Sequence, residues 1–89
     1  MQTIRLLISG KVQGVWYRKS SSIKANELNL KGTVRNLEDG RVEMVVSGEK
    51  EDLKRLVNWC KKGPELAVVD NLEFKEMRYQ RFSDFRIIQ

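Results

Sequence analysis

Two glycines and an arginine mark the part of this chain best equipped for chemistry. Gly10 and Gly14 enclose Lys11-Val12-Gln13, and Val15-Trp16-Tyr17 lead on to Arg18. Glycine lets the backbone turn tightly and leaves its N–H groups uncovered by side chains. Where such a loop opens a helix, the first N–H groups lack an intrahelical acceptor and carry partial positive charge, so an anion is favoured by geometry and dipole together. Arg18 adds a planar, permanently charged fork that can hold two oxygens of one phosphoryl group. Glycines between a strand and a helix more often mark only a turn, so the loop by itself suggests a phosphate cradle without requiring one. Nucleotide-binding loops are excluded, since neither G-x-x-x-x-G-K-[ST] nor G-x-G-x-x-G occurs. A second candidate is Asn36, whose carboxamide can donate and accept hydrogen bonds at once and so orient a water molecule. An asparagine ahead of a hairpin is usually a turn former, and for the residue taken alone that reading is favoured.

The elements that must position these residues follow from hydrophobic pattern. Thr3–Ser9 is short and rich in Ile and Leu, which predicts a buried strand ending at the glycine loop. Residues 18–30 hold neither Gly nor Pro and predict a helix. Two further strands, over 30–37 and 41–47, are joined by Glu38-Asp39-Gly40, a strong hairpin signal because the turn requires positive φ. A second helix is expected over 51–62, with Leu53, Leu56, Val57 and Cys60 on one buried face and Gly63-Pro64 as its stop. Residues 67–75 predict a fourth strand and 85–88 a short last one. The order strand, helix, strand, strand, helix, strand, with one extra short strand, predicts an α+β ferredoxin-like sandwich: two helices on one face of an antiparallel sheet. In that arrangement the first and third strands are central and the second lies beside the third, bringing the start of the first helix toward the sheet end that carries Asn36.

Composition limits what such a domain can do. Its 89 residues suffice for one core, so residues 1–89 are expected to form a single domain. Seventeen basic against twelve acidic residues give a net charge of +5, an attraction to anions that does not name them. There is no histidine, which removes histidine acid–base chemistry and histidine-ligated zinc. The lone Cys60 cannot form an internal disulfide and lies on an apolar helical stripe, which makes it a small core residue rather than a nucleophile. Trp59 flanks that stripe and reads as packing. No leader-like segment or membrane-length apolar run is present, so a soluble cytoplasmic protein is expected.

The run Gly10-Lys-Val-Gln-Gly-Val-Trp-Tyr-Arg18, followed by Gly32-Thr-Val-Arg-Asn36-Leu-Glu-Asp-Gly40, closely resembles the two signatures of acylphosphatases. Gly48, Lys62-Gly63-Pro64 and Ser83-Asp84-Phe85-Arg86-Ile87 extend the likeness over nearly the whole chain. The resemblance implies hydrolysis of acyl phosphates to a carboxylate and inorganic phosphate. It implies that Arg18 and backbone N–H groups of Gln13, Gly14, Val15, Trp16 and Tyr17 bind the phosphoryl group, while Asn36 positions the attacking water. No metal or cofactor is implied; inorganic phosphate or a similar anion is the expected competing ligand, and a monomer the expected state. Tyr17 stands where the family often has Phe, and Thr33 where an aromatic is frequent; neither replaces a catalytic group. Tyr17 is expected to keep its ring in the core with the hydroxyl reaching a polar edge.

This chemistry accounts for the missing histidine. The carboxylate that leaves an acyl phosphate has a conjugate acid of pKa about 4 to 5, so no general acid is needed. A loose phosphoryl-transfer transition state asks mainly for positioning and charge stabilisation, which one arginine, a nest of N–H groups and an oriented water can provide. RNA binding on the sheet is the first competing reading, but Arg41–Ser47 carries no aromatic where an RNA-recognition strand needs one. A silent module that binds a phosphorylated ligand is the second; it needs the cradle and Arg18 but not Asn36. Arg35, Lys11 and Lys19 could draw anions toward the site, with solvated charge the better reading of each.

Overall fold

The computed structural model describes residues 1–88. Its elements are β1 (Gln2–Lys11), α1 (Tyr17–Glu27), β2 (Lys31–Asn36), β3 (Val42–Gly48), α2 (Lys50–Cys60), β4 (Val68–Met77) and β5 (Phe85–Ile87). They build a five-stranded sheet in the order β4-β1-β3-β2-β5, antiparallel except for the β2–β5 pair. This is the expected ferredoxin-like sandwich with its extra strand at the edge.

Strand alternation sorts the sheet into two faces. Ile4, Leu6 and Ile8 of β1, Val42, Met44 and Val46 of β3, and Val34 of β2 are all buried on the face that carries the helices. Tyr17, Ser21 and Ala25 form the buried stripe of α1, and Leu53, Leu56 and Cys60 that of α2, as the spacing of the latter requires. On the other face Thr3 and Ser47 share a hydrogen bond of 2.6 Å. Gln80 closes that ring, its N–H donating to Thr3 Oγ1 at 2.8 Å and its carbonyl accepting from Ser47 Oγ at 2.7 Å, which pins the crossing from β4 to β5.

Beyond shifts of one or two residues at the other element ends, helix α1, strand β4 and the β2–β3 turn differ from the sequence expectation. Helix α1 ends at Glu27 rather than Leu30 because Asn29 adopts left-handed backbone (φ 59°) and the Leu30 N–H turns back to Ala25 O at 2.9 Å. Strand β4 runs on to Met77 because its ladder with β1 continues to the Thr3–Met77 pair. At the β2–β3 turn only Gly40 (φ 97°) takes positive φ, and its N–H donates to Leu37 O at 3.2 Å. The turn therefore closes through a single left-handed glycine rather than through two.

Candidate active site

The loop from Lys11 to Tyr17 alternates between core and solvent. Val12 and Val15 are buried anchors, while the indole of Trp16 is 73% exposed. Gly14 (φ 75°) and Trp16 (φ 67°, ψ 19°) both adopt left-handed backbone. Glycine does so freely, but for tryptophan the conformation costs on the order of 1–2 kcal/mol. Among the described residues no N–H from Gln13 through Arg18 donates to a backbone carbonyl; the first to do so is Ser20, to Trp16 O at 2.9 Å. The start of α1 has neither a side-chain cap nor an acidic residue in its first turn. Its partial positive charge is thus left uncompensated, next to a row of free donors.

Arg18 sits in that first turn, half-buried, and among the described residues it forms no ion pair. Its place is fixed by the residue before it. The Tyr17 hydroxyl donates to Cys60 O at 2.7 Å, and its ring tilts against Trp59 with centroids 5.7 Å apart. Gly63 (φ 70°) lies beneath the ring, where an added Cβ would come within 2.6 Å of Tyr17 Cε2. The hydroxyl so meets a buried carbonyl at the end of α2 and not a polar edge. Burial, reinforced by Cys60, pushes the Tyr17 phenol well above its usual range. Burial also pushes the Cys60 thiol up to about 12, so it is no thiolate at neutral pH.

Asn36 is the last residue of β2. The registers place Ile8, Val42 and Asn36 in one cross-strand row, at the sheet end where β1 runs out into the glycine loop. Alternation from Val34 turns Asn36 toward the helix-bearing face. Its Oδ1 is buried and has no hydrogen-bond partner among the described residues. The loop is tied to this end of the sheet by Gln13, whose Nε2 donates to Leu37 O at 2.8 Å and to Arg41 O at 2.9 Å. One carboxamide thereby joins the loop to both sides of the β2–β3 turn, at Leu37 just after Asn36 and at Arg41 just before Val42.

The acylphosphatase family model matches residues 4–87. The chain belongs to the acylphosphatase family. It is 58% identical to an acylphosphatase of Marinobacter nauticus over 82 residues, 91% of this chain and 89% of that one. It is 47% identical to an acylphosphatase of Methylococcus capsulatus over 90 residues, covering 100% of this chain and 98% of the relative. Among solved structures it superposes on an acylphosphatase from Coxiella burnetii with a TM-score of 0.95 at 42% identity, covering 98% of this chain and 92% of that one. Acylphosphatase activity follows from membership at this coverage, and neither an RNA-binding nor a silent phosphate-binding module is favoured.

The acylphosphatase loop borders an open depression of about 370 Å³ whose walls include Gly14, Trp16, Tyr17, Arg18, Lys19 and Ile87. Gln13, Val15 and Asn36 are not among its walls: the Gln13 side chain is turned to the hairpin, Val15 is core, and Asn36 stands at the end of β2. Lys19 keeps a place beside the cradle, but Arg35 does not, because its Nε binds Glu43 Oε1 at 2.7 Å on the opposite face. Sequence reasoning assigned Gln13 only a backbone role and missed its clamp, which no local pattern signals. Ile87 was seen as strand and not as wall; only the parallel pairing of β5 with β2 brings it there. No helix of the described residues is long and apolar enough to cross a membrane.

Proposed function

We propose that the loop N–H groups from Gln13 to Tyr17 and the Arg18 guanidinium bind the phosphoryl group of a small acyl phosphate, while Asn36 orients the attacking water. The observation that carries this reading is the buried Asn36 Oδ1 with no partner. An unpaired buried acceptor costs about 1–3 kcal/mol, and a substrate-bound water would satisfy it. The water attacks phosphorus in line as the carboxylate leaves; its proton passes to a phosphoryl oxygen of the substrate itself. Arg18 and the N–H groups meet charge that spreads over the equatorial oxygens. No metal and no protein general acid enters, since the carboxylate leaves unprotonated. Inorganic phosphate competes for the same donors. The protein acts as a monomer in the cytoplasm, a setting suited to its single, reduced and buried Cys60.

The test is hydrolysis of benzoyl phosphate in ¹⁸O-water with a metal chelator present. Rapid turnover with label in inorganic phosphate is expected. Label in benzoate would place the attack on the carbonyl carbon, and turnover that stops with chelator would return the chemistry to a metal.

A further inference from the structure

The helix-bearing face of the sheet is left uncovered along one side. Helix α2 lies over the inner strands β1 and β3 and not over the outer strand β4. Register with β1 nevertheless gives β4 the same inward phase: Leu72 stands opposite Ile8, Phe74 opposite Leu6 and Glu76 opposite Ile4. Leu72 packs against the core, but Phe74 is 63% exposed. A phenylalanine in the phase of the core is thus left facing water. Between it and α2 runs a groove of about 480 Å³, with Ile4, Leu53 and Val57 as its apolar floor and Phe74 on its outer side. A groove of this size, apolar within and polar at its rim, has the character of a small-molecule site.

The rim carries an excess of one charge. Lys50, Lys54 and Lys61 stand along the α2 side at helical spacing, spread over roughly 16 Å of the helix, whereas Glu76 is the single carboxylate among the walls. Lys54 meets Glu51 only at 3.9 Å, with both side chains more than half exposed, and Lys50 and Lys61 form no ion pair among the described residues. Ammonium groups are point charges on flexible stems, so they suit one compact anionic head wherever it lies along the groove. We infer that the groove between α2 and β4 binds monomeric medium-chain carboxylates, the alkyl chain against Phe74 and Val57 and the head group among the lysines. Burial of the chain supplies the affinity, and the excess of positive charge sets the sign of the head. A cationic amphiphile of equal length would meet three like charges instead. The site stands apart from the phosphate cradle, with which it shares no wall.

The experiment titrates octanoate into isotopically labelled protein and follows the amide chemical shifts, with inorganic phosphate present in excess to occupy the cradle. Saturable shifts along α2 and β4 are expected, and affinity should rise about 3-fold per methylene from hexanoate to decanoate. Phe74 and the lysines are exposed, so their variants are expected to fold, with circular dichroism as the check. Phe74→Ser should weaken octanoate about 5-fold, and Lys50→Gln combined with Lys61→Gln about 3-fold, while kcat/KM for benzoyl phosphate stays within about 2-fold in both. Octyltrimethylammonium should bind about 10-fold more weakly than octanoate. No saturable shift, equal affinity for the cationic amphiphile, shifts confined to residues 12–19, or a response to anionic lipid vesicles alone would overturn the inference. So would a groove already filled by a second copy, seen in sedimentation as a dimer that Phe74→Ser dissolves.

Discussion

Arg35 and Asn36 are neighbours in sequence and face opposite sides of the sheet, and the contrast between their surroundings separates structure from function in this protein. Below the sheet, Glu43 is buried and both of its oxygens are occupied. Oε1 receives Arg35 Nε at 2.7 Å, and Oε2 receives Arg5 Nε and Nη2 at 2.7 and 2.6 Å. Burial opposes ionisation of Glu43, but hydrogen bonds from Arg35 and Arg5, together with their charges, outweigh it and hold the carboxyl below its usual range. Above the sheet, Asn36 Oδ1 has no partner, the loop N–H groups have no backbone acceptor, and Arg18 has no carboxylate among the described residues. A closed polar network stabilises the fold; an open one is what the proposed phosphoryl site requires. Charge by itself does not distinguish the two, since arginines serve both.

The sharpest break of this contrast is Arg18→Ala. It should lower kcat/KM about a thousandfold or more, several kcal/mol of transition-state stabilisation, with little change in Tm. Arg18→Lys should recover only part of the rate, because an ammonium lacks the bidentate fork. Steady-state kinetics beside thermal melts would check both.

Glu43 should behave in the opposite way. Glu43→Ala is expected to destabilise the fold by about 2 kcal/mol, a value kept modest because Arg5 and Arg35 remain partly solvated, with kcat preserved in the folded protein. The pH dependence has a definite sign. A carboxyl whose folded-state pKa is lowered contributes its stability above the ordinary value of 4.5, and that contribution fades as pH falls from there through the lowered folded-state value. Melts of the unaltered protein between pH 7 and about 3 should show this loss, and Glu43→Gln should remove that component of it.

Gln13→Ala tests how tightly the two regions are held together. Losing the clamp should cost about tenfold in kcat, with phosphate affinity less affected, since the cradle survives but its alignment with Asn36 loosens. The smallest effect is expected from Tyr17→Phe. Only the bond to Cys60 O is lost, about 1 kcal/mol in a denaturant titration, and the ring keeps its packing against Trp59.

Much of this was legible in the sequence because local rules and the global fold agree. The apolar stripe of α2 and its Gly63-Pro64 stop, the alternating strands and the glycine-bearing loop each obey a rule of short range. The end of α1 escaped because asparagine performed the left-handed turn usually left to glycine. The spacing of loop and hairpin escaped because it depends on the Ile8–Val42–Asn36 row and on the Gln13 side chain, contacts between residues far apart in the chain. Arg35 and Arg18 looked alike in sequence, since nothing local shows that one has a buried carboxylate beside it.

The central claim is that Asn36 is left open for a water and not for the fold. Asn36→Ala, with kcat for benzoyl phosphate, Kd for inorganic phosphate and Tm measured on the same preparation, tests it most directly. The account predicts kcat lowered about a hundredfold, phosphate affinity unchanged, and Tm equal or higher because a buried unpaired acceptor is gone. Unchanged kcat, or a fall in Tm with kcat per folded molecule preserved, would contradict it.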